Sequence, residues 1–486
     1  MAAMTNRQRW LALVVLCLGD LMIVLDVTIV NVALPSIRQD LDFSEASLAW
    51  VVNAYLLTFG GFLLLGGRAG DLFGGRRVFI VGVALFTLAS AACGLATSQA
   101  FLVTARAVQG LGGAIVAAVA LSLIMTLFTE PADRAKAMGV FGFVASGGGT
   151  IGVVAGGVLT DALDWRWIFL VNLPIGVLVF ALCLRLLPRD QAGIRRERVD
   201  VAGAVLVTAA LMLAVYAIVN ANSAGWSSAQ TIGLLAASAV LLAGFVGLEA
   251  RVRTPLVPLR LFRLHNVAAA NVLAVLVASA MFGWFFLSAL YLQRVLGYSP
   301  LEVGLAYLPA TLVIGGFSLG LSAKAVMRFG VKLPLAAGLG LFAVGLALFA
   351  RAPVDGSYVL DVLPGMLLLG LGGGLSFNPL LLAAMSDVET TEAGLASGLV
   401  NTTQMMGGAL GLAVLASLAA SRTSTLSASG DSAVVALNGG YHAAFLVGAG
   451  LAAVGCLLAL LLIRPVTAAQ HEQAPALETA EESSAA

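Results

Sequence analysis

Residues 25–35 have the sequence LDVTIVNVALP, and all but the final proline belong to an apolar run that covers residues 10–34. A run of about 20 apolar residues is long enough for a helix to cross the hydrocarbon core of a bilayer. Asp26 is therefore placed at membrane depth, where a charged side chain costs roughly 3 kcal/mol or more. Such a cost indicates a functional acid with a basic partner, and the alternative is an acid tolerated near a helix end.

The composition of the whole chain also indicates that lipid is its main solvent. Of the 486 residues, 60% are hydrophobic and 10% are charged, whereas about a quarter of the residues in soluble domains are charged. The net charge of +1 argues against nucleic acid as a partner, because a polyanion requires a concentrated basic face. The four cysteines lie in apolar segments without CxxC spacing, so neither a disulfide framework nor a metal site is predicted.

Apolar stretches separated by polar breaks predict fourteen transmembrane helices, from residues 10–34 to residues 443–463. Most of the 26 Lys and Arg residues fall in loops on the side of the N-terminus. Loops with this bias are cytoplasmic. We therefore predict a multi-pass protein of the cytoplasmic inner membrane with both termini in the cytoplasm.

Basic linkers divide the predicted helices into groups of six, two and six. Residues 1–187 form the N-terminal six-helix bundle, and residues 188–265 contain basic linkers with two extra transmembrane helices. Residues 266–464 form the C-terminal six-helix bundle. Residues 465–486 are polar and are predicted to be a disordered cytoplasmic tail.

An internal repeat relates the two six-helix groups. DLFGGR at residues 71–76 follows the second helix of the first group, and MRFGVK at residues 327–332 follows the second helix of the other. Repeated halves with a substrate site between them are typical of secondary transporters. We predict an all-α integral membrane protein in which two pseudo-symmetric six-helix bundles flank two central extra helices.

Five sequence features resemble the major facilitator superfamily over nearly the whole chain. They are LDVTIVNVALP at 25–35, Trp50 with Asn53 and Tyr55, GRAGDLFGGRR at 67–77, RAVQGLGGA at 106–114 and WRWIFLVNLPIG at 165–176. Together with the fourteen helices, they resemble the drug:proton antiporter group of that family, the multidrug efflux type. The resemblance implies a proton-coupled secondary transporter that exports amphipathic, hydrophobic or cationic compounds by alternating access.

Depth along the helices suggests a partner for Asp26. At 1.5 Å per residue, Asp26 lies about 6 Å and Arg106 about 8 Å from the outer boundary of a ~30 Å core. The resemblance implies that the first and fourth helices line the central cavity. We therefore predict that Asp26 and Arg106 form the proton-coupling pair, with the proton as coupling ion and no other cofactor.

Polar and aromatic residues on the predicted spans are candidates for the substrate cavity, because ligand pockets are mostly apolar with a few polar groups. The alternative for each aromatic residue is ordinary helix packing or lipid contact, and for Asp20 it is a tolerated buried acid. The candidates are Asp20, Asn31, Trp50, Tyr55, Trp284, Asn378, Asn401 and Gln404.

The loop after the second helix combines a carboxylate, two bases and two glycines. The resemblance implies a conformational gate on the cytoplasmic face, where Asp71 faces the positive N-terminal end of the thirteenth helix. The alternative is a solvated loop with the usual topogenic charge. The residues are Gly67, Asp71, Gly74, Arg76 and Arg77.

Glycines recur every four residues on the fifth helix and form a groove in which another helix can pack closely. The resemblance implies the antiporter motif of the family, although Val153 stands where its usual proline would be. The alternative is packing of small residues without a role in coupling. The glycines are Gly148, Gly152, Gly156 and Gly157.

Other classes of function are not supported by the sequence. It has no GxxxxGK[ST] string for ATP, and its three histidines are isolated, so neither an ATP-driven pump nor an enzyme is predicted. The predicted partners are a small-molecule substrate, protons and the lipid bilayer, and the predicted functional unit is a monomer. Three alternatives remain: an exporter dedicated to one endogenous specialised metabolite, a proton-coupled importer, and a transporter-like sensor.

Overall fold

The protein is a bundle of long α-helices in a computed structural model, which describes residues 5–128, 130–188, 200–252, 255–386, 388 and 393–464. The predicted tail and residues 189–199 of the first linker lie outside this part of the chain. The helices are α1 (Asn6–Leu41), α2 (Trp50–Phe73), α3 (Gly75–Gly94), α4 (Gln99–Leu127), α5 (Pro131–Ala162), α6 (Trp167–Leu170), α7 (Asn172–Leu186), α8 (Val201–Ala224), α9 (Ala229–Glu249), α10 (His265–Arg294), α11 (Pro300–Gly316), α12 (Ser322–Phe329), α13 (Lys332–Phe349), α14 (Leu363–Met385), α15 (Ala393–Ala428) and α16 (Ala433–Leu462).

Thirteen helical segments within the described residues are long and apolar enough to cross a membrane. The remaining predicted span, residues 303–323, corresponds to the shorter helix α11, which continues through a π-helical turn at Phe317–Leu321 into α12. Pro309 inside α11 removes a backbone donor, and such positions bend or interrupt helices. The prediction of an all-α membrane protein is confirmed, although three of the predicted spans are irregular: π-helical turns occur at Phe317–Leu321 and Tyr358–Val362, and α6 and α7 divide a third span at Val171.

Glycines bring the helices of the first half, α1 to α7, into close contact. A Cβ atom at Gly112 of α4 would lie only 2.7 Å from the backbone nitrogen of Phe86 in α3. Gly110, on the same helix, lies equally close to the backbone of Tyr55 in α2. Because lipid supplies no hydrophobic drive between helices, such close packing largely determines their association. It places α4 between α2 and α3.

The helix α8 packs against both halves, on α2 of the first half and on α15 of the second half, α10 to α16. The side chain of Thr208 fills the space left by the missing side chain of Gly61 in α2. On the other side, Asn222 donates to the carbonyl oxygen of Ser417 at 3.0 Å, and the Ser417 hydroxyl donates to that of Ile218 at 3.2 Å. The helix α8 therefore lies over the junction of α2 and α15, and α9 packs on α8.

The two halves meet at one end of the bundle, which we call the apex; the end where α1 begins is the base. At the apex, Gln293 of α10 donates to the carbonyl oxygen of Val32 at 2.7 Å, and Arg294 pairs with Glu45 in the loop after α1. A Cβ atom at Gly157 of α5 would lie 2.7 Å from a carbonyl oxygen of α11. The first and second halves are thus closed against each other at the apex.

Toward the base, several glycines of α5 and α11 have no close neighbour. Among the described atoms, none lies within 4 Å of the position that a Cβ atom would take at five glycines on these two helices. The two helices nevertheless stay near each other, because α5 also approaches the π-helical turn at Phe317–Leu321 that follows α11. On another side of the bundle, α2 and α15 are in contact at this level, where Leu64 approaches Gly398. The five glycines are Gly139, Gly142, Gly147, Gly315 and Gly316.

Candidate functional site

The structure joins Asp26 of α1 to Arg106 of α4 in a buried ion pair. The Nη1 atom of Arg106 lies 2.5 Å from Oδ2 of Asp26, and the two side chains are 1% and 0% exposed. Arg106 also donates from Nε to the carbonyl oxygen of Val51 at 2.9 Å. Its guanidinium carbon lies 4.4 Å from the ring centre of Tyr55 and 5.5 Å from that of Phe169. The cation is therefore held by one carboxylate, one carbonyl group and two aromatic faces.

Three further polar side chains complete this network. Oδ1 of Asp26 accepts hydrogen bonds from Gln109 at 2.6 Å and from Asn172 at 3.2 Å. Both amides also donate to the hydroxyl oxygen of Ser90, at 2.7 and 3.4 Å. The amide oxygen of Gln109 accepts a second bond from Arg106 at 2.6 Å. The two oxygens of Asp26 thus have different partners, a cation on one and two neutral amides on the other.

Local sequence explains how these side chains converge. Gln109 follows Arg106 by three residues and therefore lies on the same face of α4. Asn172 is the first residue of α7, after the turn at Val171, and Pro174 follows in the first helical turn, where a missing N–H is tolerated. Ser90 lies one turn before the end of α3. The network therefore connects α1, α3, α4 and α7.

Sequence analysis did not assign roles to these three residues. Gln109 and Asn172 occur in the strings RAVQGLGGA and WRWIFLVNLPIG, but no property of their neighbours distinguished them as ligands of Asp26. Ser90 stands in the small-residue string ASAA, which is equally suited to plain packing. The only available signal was a polar side chain at membrane depth, where each polar group requires a partner.

A buried pair of this kind can respond to a proton. Removing one partner of a buried ion pair costs about 3–5 kcal/mol, because the other charge remains without compensation. A proton on Asp26 removes one charge and leaves Arg106 with its carbonyl and amide acceptors. The arrangement can therefore convert proton binding into a rearrangement of α1 against α4.

Two of the predicted cavity residues are enclosed within the halves. Tyr55 is fully buried against Arg106, and Trp284 is 1% exposed in α10. The indole of Trp284 packs on the rings of Phe285, Tyr307 and Phe342, with centroid distances of 4.3, 5.9 and 6.0 Å. In this conformation, both residues are therefore packing residues of their own half.

The other six predicted cavity residues are distributed over both halves. Asp20 is 7% exposed, Asn31 donates to the carbonyl oxygen of Val27 within its own helix, and Asn378 donates to that of Ser318 at 2.9 Å. The remaining three are the partly exposed Trp50 and Asn401 and the buried Gln404. Among the described residues, no hydrogen bond joins any two of the eight predicted cavity residues.

Comparison with known proteins identifies the family. The family model described as Major Facilitator Superfamily matches residues 16–412. The chain belongs to this superfamily. It is 40% identical over 479 residues to the Puromycin resistance protein pur8 of Streptomyces alboniger, with 97% of this chain and 95% of that protein covered. It is 42% identical over 417 residues to the Cephamycin export protein CmcT of Amycolatopsis lactamdurans, with 85% of each chain covered.

A solved structure shares the fold. The chain matches a bacterial homolog of the human lysosomal transporter Spinster, in an inward-facing and unoccupied conformation, with a TM-score of 0.69 and 16% identity. The match covers 95% of this chain and 98% of the other. The prediction of a major facilitator superfamily member is confirmed, and the chain is a multi-pass membrane transporter.

The loop that the superfamily resemblance identified as a gate is built around Gly74. This residue ends α2 and precedes α3 with φ 97° and ψ 126°, a backbone conformation that favours glycine. Asp71 is exposed and interacts electrostatically with Arg68, and Arg76 donates to the carbonyl oxygen of Leu184 at 2.7 Å. The N-terminal end of the thirteenth predicted span, which Asp71 is expected to face, is the start of α15 at Ala393, and residues 389–392 just before it lie outside the described residues.

The sequence predicts that Gly67 removes a side chain where helix backbones must approach, but the close approach occurs one residue earlier. A Cβ atom at Gly67 would meet only the Ala118 methyl group, at 3.8 Å, which is ordinary contact. At Gly66 it would lie 3.0 Å from the α-carbon of Ile115. The α2 and α4 backbones therefore approach at Gly66. Gly67 lies beside this contact.

The superfamily glycine motif of α5 packs mainly on α1. A Cβ atom at Gly152 would lie 3.1 Å from the carbonyl oxygen of Leu25, and at Gly156 it would lie 2.8 Å from that of Ile29. Gly148 contacts α1 one turn closer to the base, and Gly157 contacts α11 of the second half. The groove thus holds the helix segment that carries Asp26 and continues to the junction between the halves.

Proposed function

We propose that this protein is a proton-coupled exporter, which exchanges protons for amphipathic drugs across the cytoplasmic membrane by alternating access. The observation that carries the proposal is the buried pair of Asp26 and Arg106, held by Gln109 and Asn172. A carboxylate at membrane depth is retained at a cost, and proton relays in transporters use such groups. The relatives, which are named for resistance and export, support the direction of transport.

The apex, where the two halves are bound to each other, is closed, which supports uptake of cargo from the base. The bias of Lys and Arg residues favours a cytoplasmic base, so cargo would be taken up from the cytoplasm or the inner leaflet. As cargo binds, Asp26 loses its proton to the cytoplasm and pairs with Arg106, after which the halves rock and the apex opens. A proton bound by Asp26 from the outer side then releases Arg106 and permits the empty transporter to return. Both termini are cytoplasmic in this proposal, and the proton is the only coupling ion of a monomer.

The predicted cargo and gate residues remain part of this proposal. Asp71, with Gly67, Gly74, Arg76 and Arg77, would close the base in the opposite conformation. The α5 glycines would let the segment around Asp26 shift during coupling. Cargo would contact the residues that are not enclosed by aromatic packing, namely Asp20, Asn31, Trp50, Asn378, Asn401 and Gln404.

A second candidate is export of a single specialised metabolite. The name of the Amycolatopsis lactamdurans relative refers to one compound, cephamycin, which favours this alternative. Both candidates use the same proton site and differ only in the range of cargo. A compound panel therefore separates them: transport of several unrelated amphipathic compounds supports multidrug efflux, and transport of one supports the dedicated exporter.

The test uses the full-length protein in liposomes with an imposed pH gradient. Puromycin and the lipophilic cation tetraphenylphosphonium serve as probes, and a pH-sensitive dye reports proton flux. We expect uphill movement of at least one probe, with opposing proton movement, and no such movement in Asp26→Asn. Equal accumulation after a proton ionophore has collapsed the gradient would contradict proton coupling.

A further inference from the structure

We propose that Asn172 is a positioning residue for proton exchange, whose side-chain amide turns over when Asp26 gains or loses a proton. This inference rests on the proposed function, since it concerns the same proton site. It adds a residue that neither contacts the cation nor titrates. It also assigns the face of Asp26 on which the proton arrives.

The present orientation of the amides suits only the charged form of Asp26. Oδ1 accepts one N–H group from Gln109 and one from Asn172, while Oδ2 is occupied by Arg106. A proton bound to Oδ1 would create an O–H group that points at two N–H donors. Two donors facing each other leave both without an acceptor, and an unsatisfied buried polar group costs about 1–3 kcal/mol. At least one amide must therefore present its oxygen when Asp26 is protonated.

Gln109 is fixed at both ends and cannot easily turn. Its nitrogen donates to Asp26 and Ser90, and its oxygen accepts from Arg106 at 2.6 Å and lies 3.5 Å from the sulfur of Cys93. Turning this amide would aim its N–H groups at the guanidinium. The proximity of that cation therefore holds Gln109 in its present orientation whether or not Asp26 is charged.

Asn172 has a free end. Its side chain is 1% exposed, yet its Oδ1 atom has no hydrogen-bond partner among the described residues. Rotation about the terminal torsion, which is roughly two-fold for amides, would exchange this oxygen with the nitrogen that now faces Asp26. The unused acceptor is thus the group that a protonated Asp26 requires, on a side chain already within reach.

The position of Asn172 also separates the proton from the cargo. Asn172 belongs to α7 and Ser90 to α3. Both of these helices pack mainly on other helices of the first half. Oδ1 of Asp26 therefore faces away from the junction between the halves. The proton is exchanged on this rear face, and the cargo acts on the pair from the junction.

The groups that influence this proton site are few. Asp20 lies on the same helix, Tyr55 faces the site from α2, Cys93 from α3 and Arg106 from α4. Among the described residues, α5 and α7 contribute no titratable group to these interactions. The neutral side chain of Asn172 therefore acts through hydrogen bonding, and its effect can be separated from that of the charges.

Infrared titration of the full-length protein in liposomes tests the proposal without any cargo. The C=O stretch of protonated Asp26 is assigned by its loss in Asp26→Asn, and its height is followed against pH. Asn172→Leu keeps the branching of the side chain and removes both donor and acceptor. We expect the band to move to higher frequency, because the carboxyl O–H loses its acceptor. We also expect its half-height to move by well under one pH unit, because the charged form loses a donor and the protonated form loses an acceptor, and these losses oppose each other.

The two readouts distinguish a turning amide from a static one. If Asn172 only donates to the charged form, the half-height moves and the frequency does not, and the proposal is overturned. If neither moves while the Asp26 band is present, Asn172 has no positioning role, and the proposed function is unaffected. If no band is lost in Asp26→Asn at any pH, Asp26 does not titrate, and both the inference and the proposed function fail.

Two further variants keep the test independent of folding defects. Ser90→Ala leaves the amide nitrogen and the amide oxygen of Asn172 in place. We therefore expect a small upward shift of the half-height and an unchanged frequency. A higher frequency in Ser90→Ala would mean that the acceptor is not Asn172. Asn438→Leu is the matched control, since Asn438 is buried in the second half, donates to Ala352 and also has an Oδ1 without a partner among the described residues. It should change neither readout.

Discussion

The two halves of the transporter differ in chemistry at corresponding positions of their first helices. Asp26 in α1 and Trp284 in α10 lie at nearly the same distance from the start of their helices. Around Asp26 the first half has a cation and two amides, whereas around Trp284 the second half has the rings of Phe285, Tyr307 and Phe342. The difference shows that equivalent places in a repeated fold can hold a titratable network or a rigid aromatic cluster.

The two sites also differ in whether their polar atoms have hydrogen-bond partners. In the first half, both carboxylate oxygens of Asp26 accept hydrogen bonds, and each donor is a side chain. In the second half, the indole N–H of Trp284 has no acceptor among the residues described, although Ser288 and Tyr307 pair their hydroxyls beside it at 2.6 Å. The first site is therefore sensitive to changes in charge, and the second to changes in shape.

The largest expected effect is at Asp26. Asp26→Asn keeps the size of the side chain and an oxygen that can accept from Gln109, but it removes the titratable charge. We expect coupled export to be abolished while insertion and folding remain largely intact. The measurement is transport driven by a pH gradient in liposomes. Retained uphill transport in this variant would mean that Asp26 is not the proton-coupling residue and that the charged site of the first half has another role.

Arg106 should have the next largest effect. Arg106→Ala leaves Asp26 buried without its counter-charge, at a cost of about 3–5 kcal/mol. Since the unpaired carboxylate binds a proton more readily, the pH dependence of transport should move upward. The measurement is the transport rate against pH in variants shown to be equally well inserted.

A double-mutant cycle sharpens this second prediction. Arg106→Ala combined with Asp26→Asn leaves neither charge unpaired, so its effect should be smaller than the sum of the two single effects. Strictly additive losses in proton-driven transport would mean that the two residues do not act on each other. The first half would then contain two separate charged sites.

A smaller effect is expected at Asp20, which lies on the same helix as Asp26 and is 7% exposed. Asp20→Asn should narrow the range of cargo, with cations lost first, because a negative charge near the cargo favours positive compounds. The measurement is the transport profile for matched cationic and neutral probes. An unchanged profile would make Asp20 a buried acid without contact to cargo.

The smallest effect is expected at Trp284. Trp284→Phe removes some ring contact and also removes an N–H group without an acceptor among the described residues, whose burial costs about 1–3 kcal/mol. The two changes oppose each other, so stability and proton coupling should both stay close to those of the unchanged protein. Thermal unfolding in detergent and pH-driven transport are the measurements. A loss of coupling would show that the aromatic cluster takes part in the proton step.

Sequence reasoning reached the fold and the charged pair for the same physical reason. A helix rises by a fixed amount per residue, so apolar length predicts spans, and distance from a boundary brings Asp26 and Arg106 to one depth. The rotation of each helix about its axis is not fixed in this way. Contacts to Gln109, Ser90 and Asn172 depend on that rotation, and depth alone could not assign them.

The candidate cavity was harder to predict because transmembrane helices are apolar on all sides. Tyr55 and Trp284 stand on spans that resemble those lining a cavity, yet both are enclosed by their own half. Periodicity separates a wet face from a dry one in soluble helices, but it cannot separate lipid, cavity and packing faces when each is apolar. The close contact lies at Gly66 instead of Gly67 for the same reason: the sequence does not fix the rotation of α2 about its own axis.

The attachment of α8 has a mechanical consequence. Two hydrogen bonds tie α8 to α15 through Ser417, whereas its contact with α2 is the fit of Thr208 over Gly61. When the halves rock, α8 can keep both bonds only by travelling with α15. The helix α8 would then slide along α2 at Gly61, where no side chain projects from α2. In the proposed rocking of the halves, α8 therefore moves with the second half and slides along α2, and it continues to cover the contact between α2 and α15.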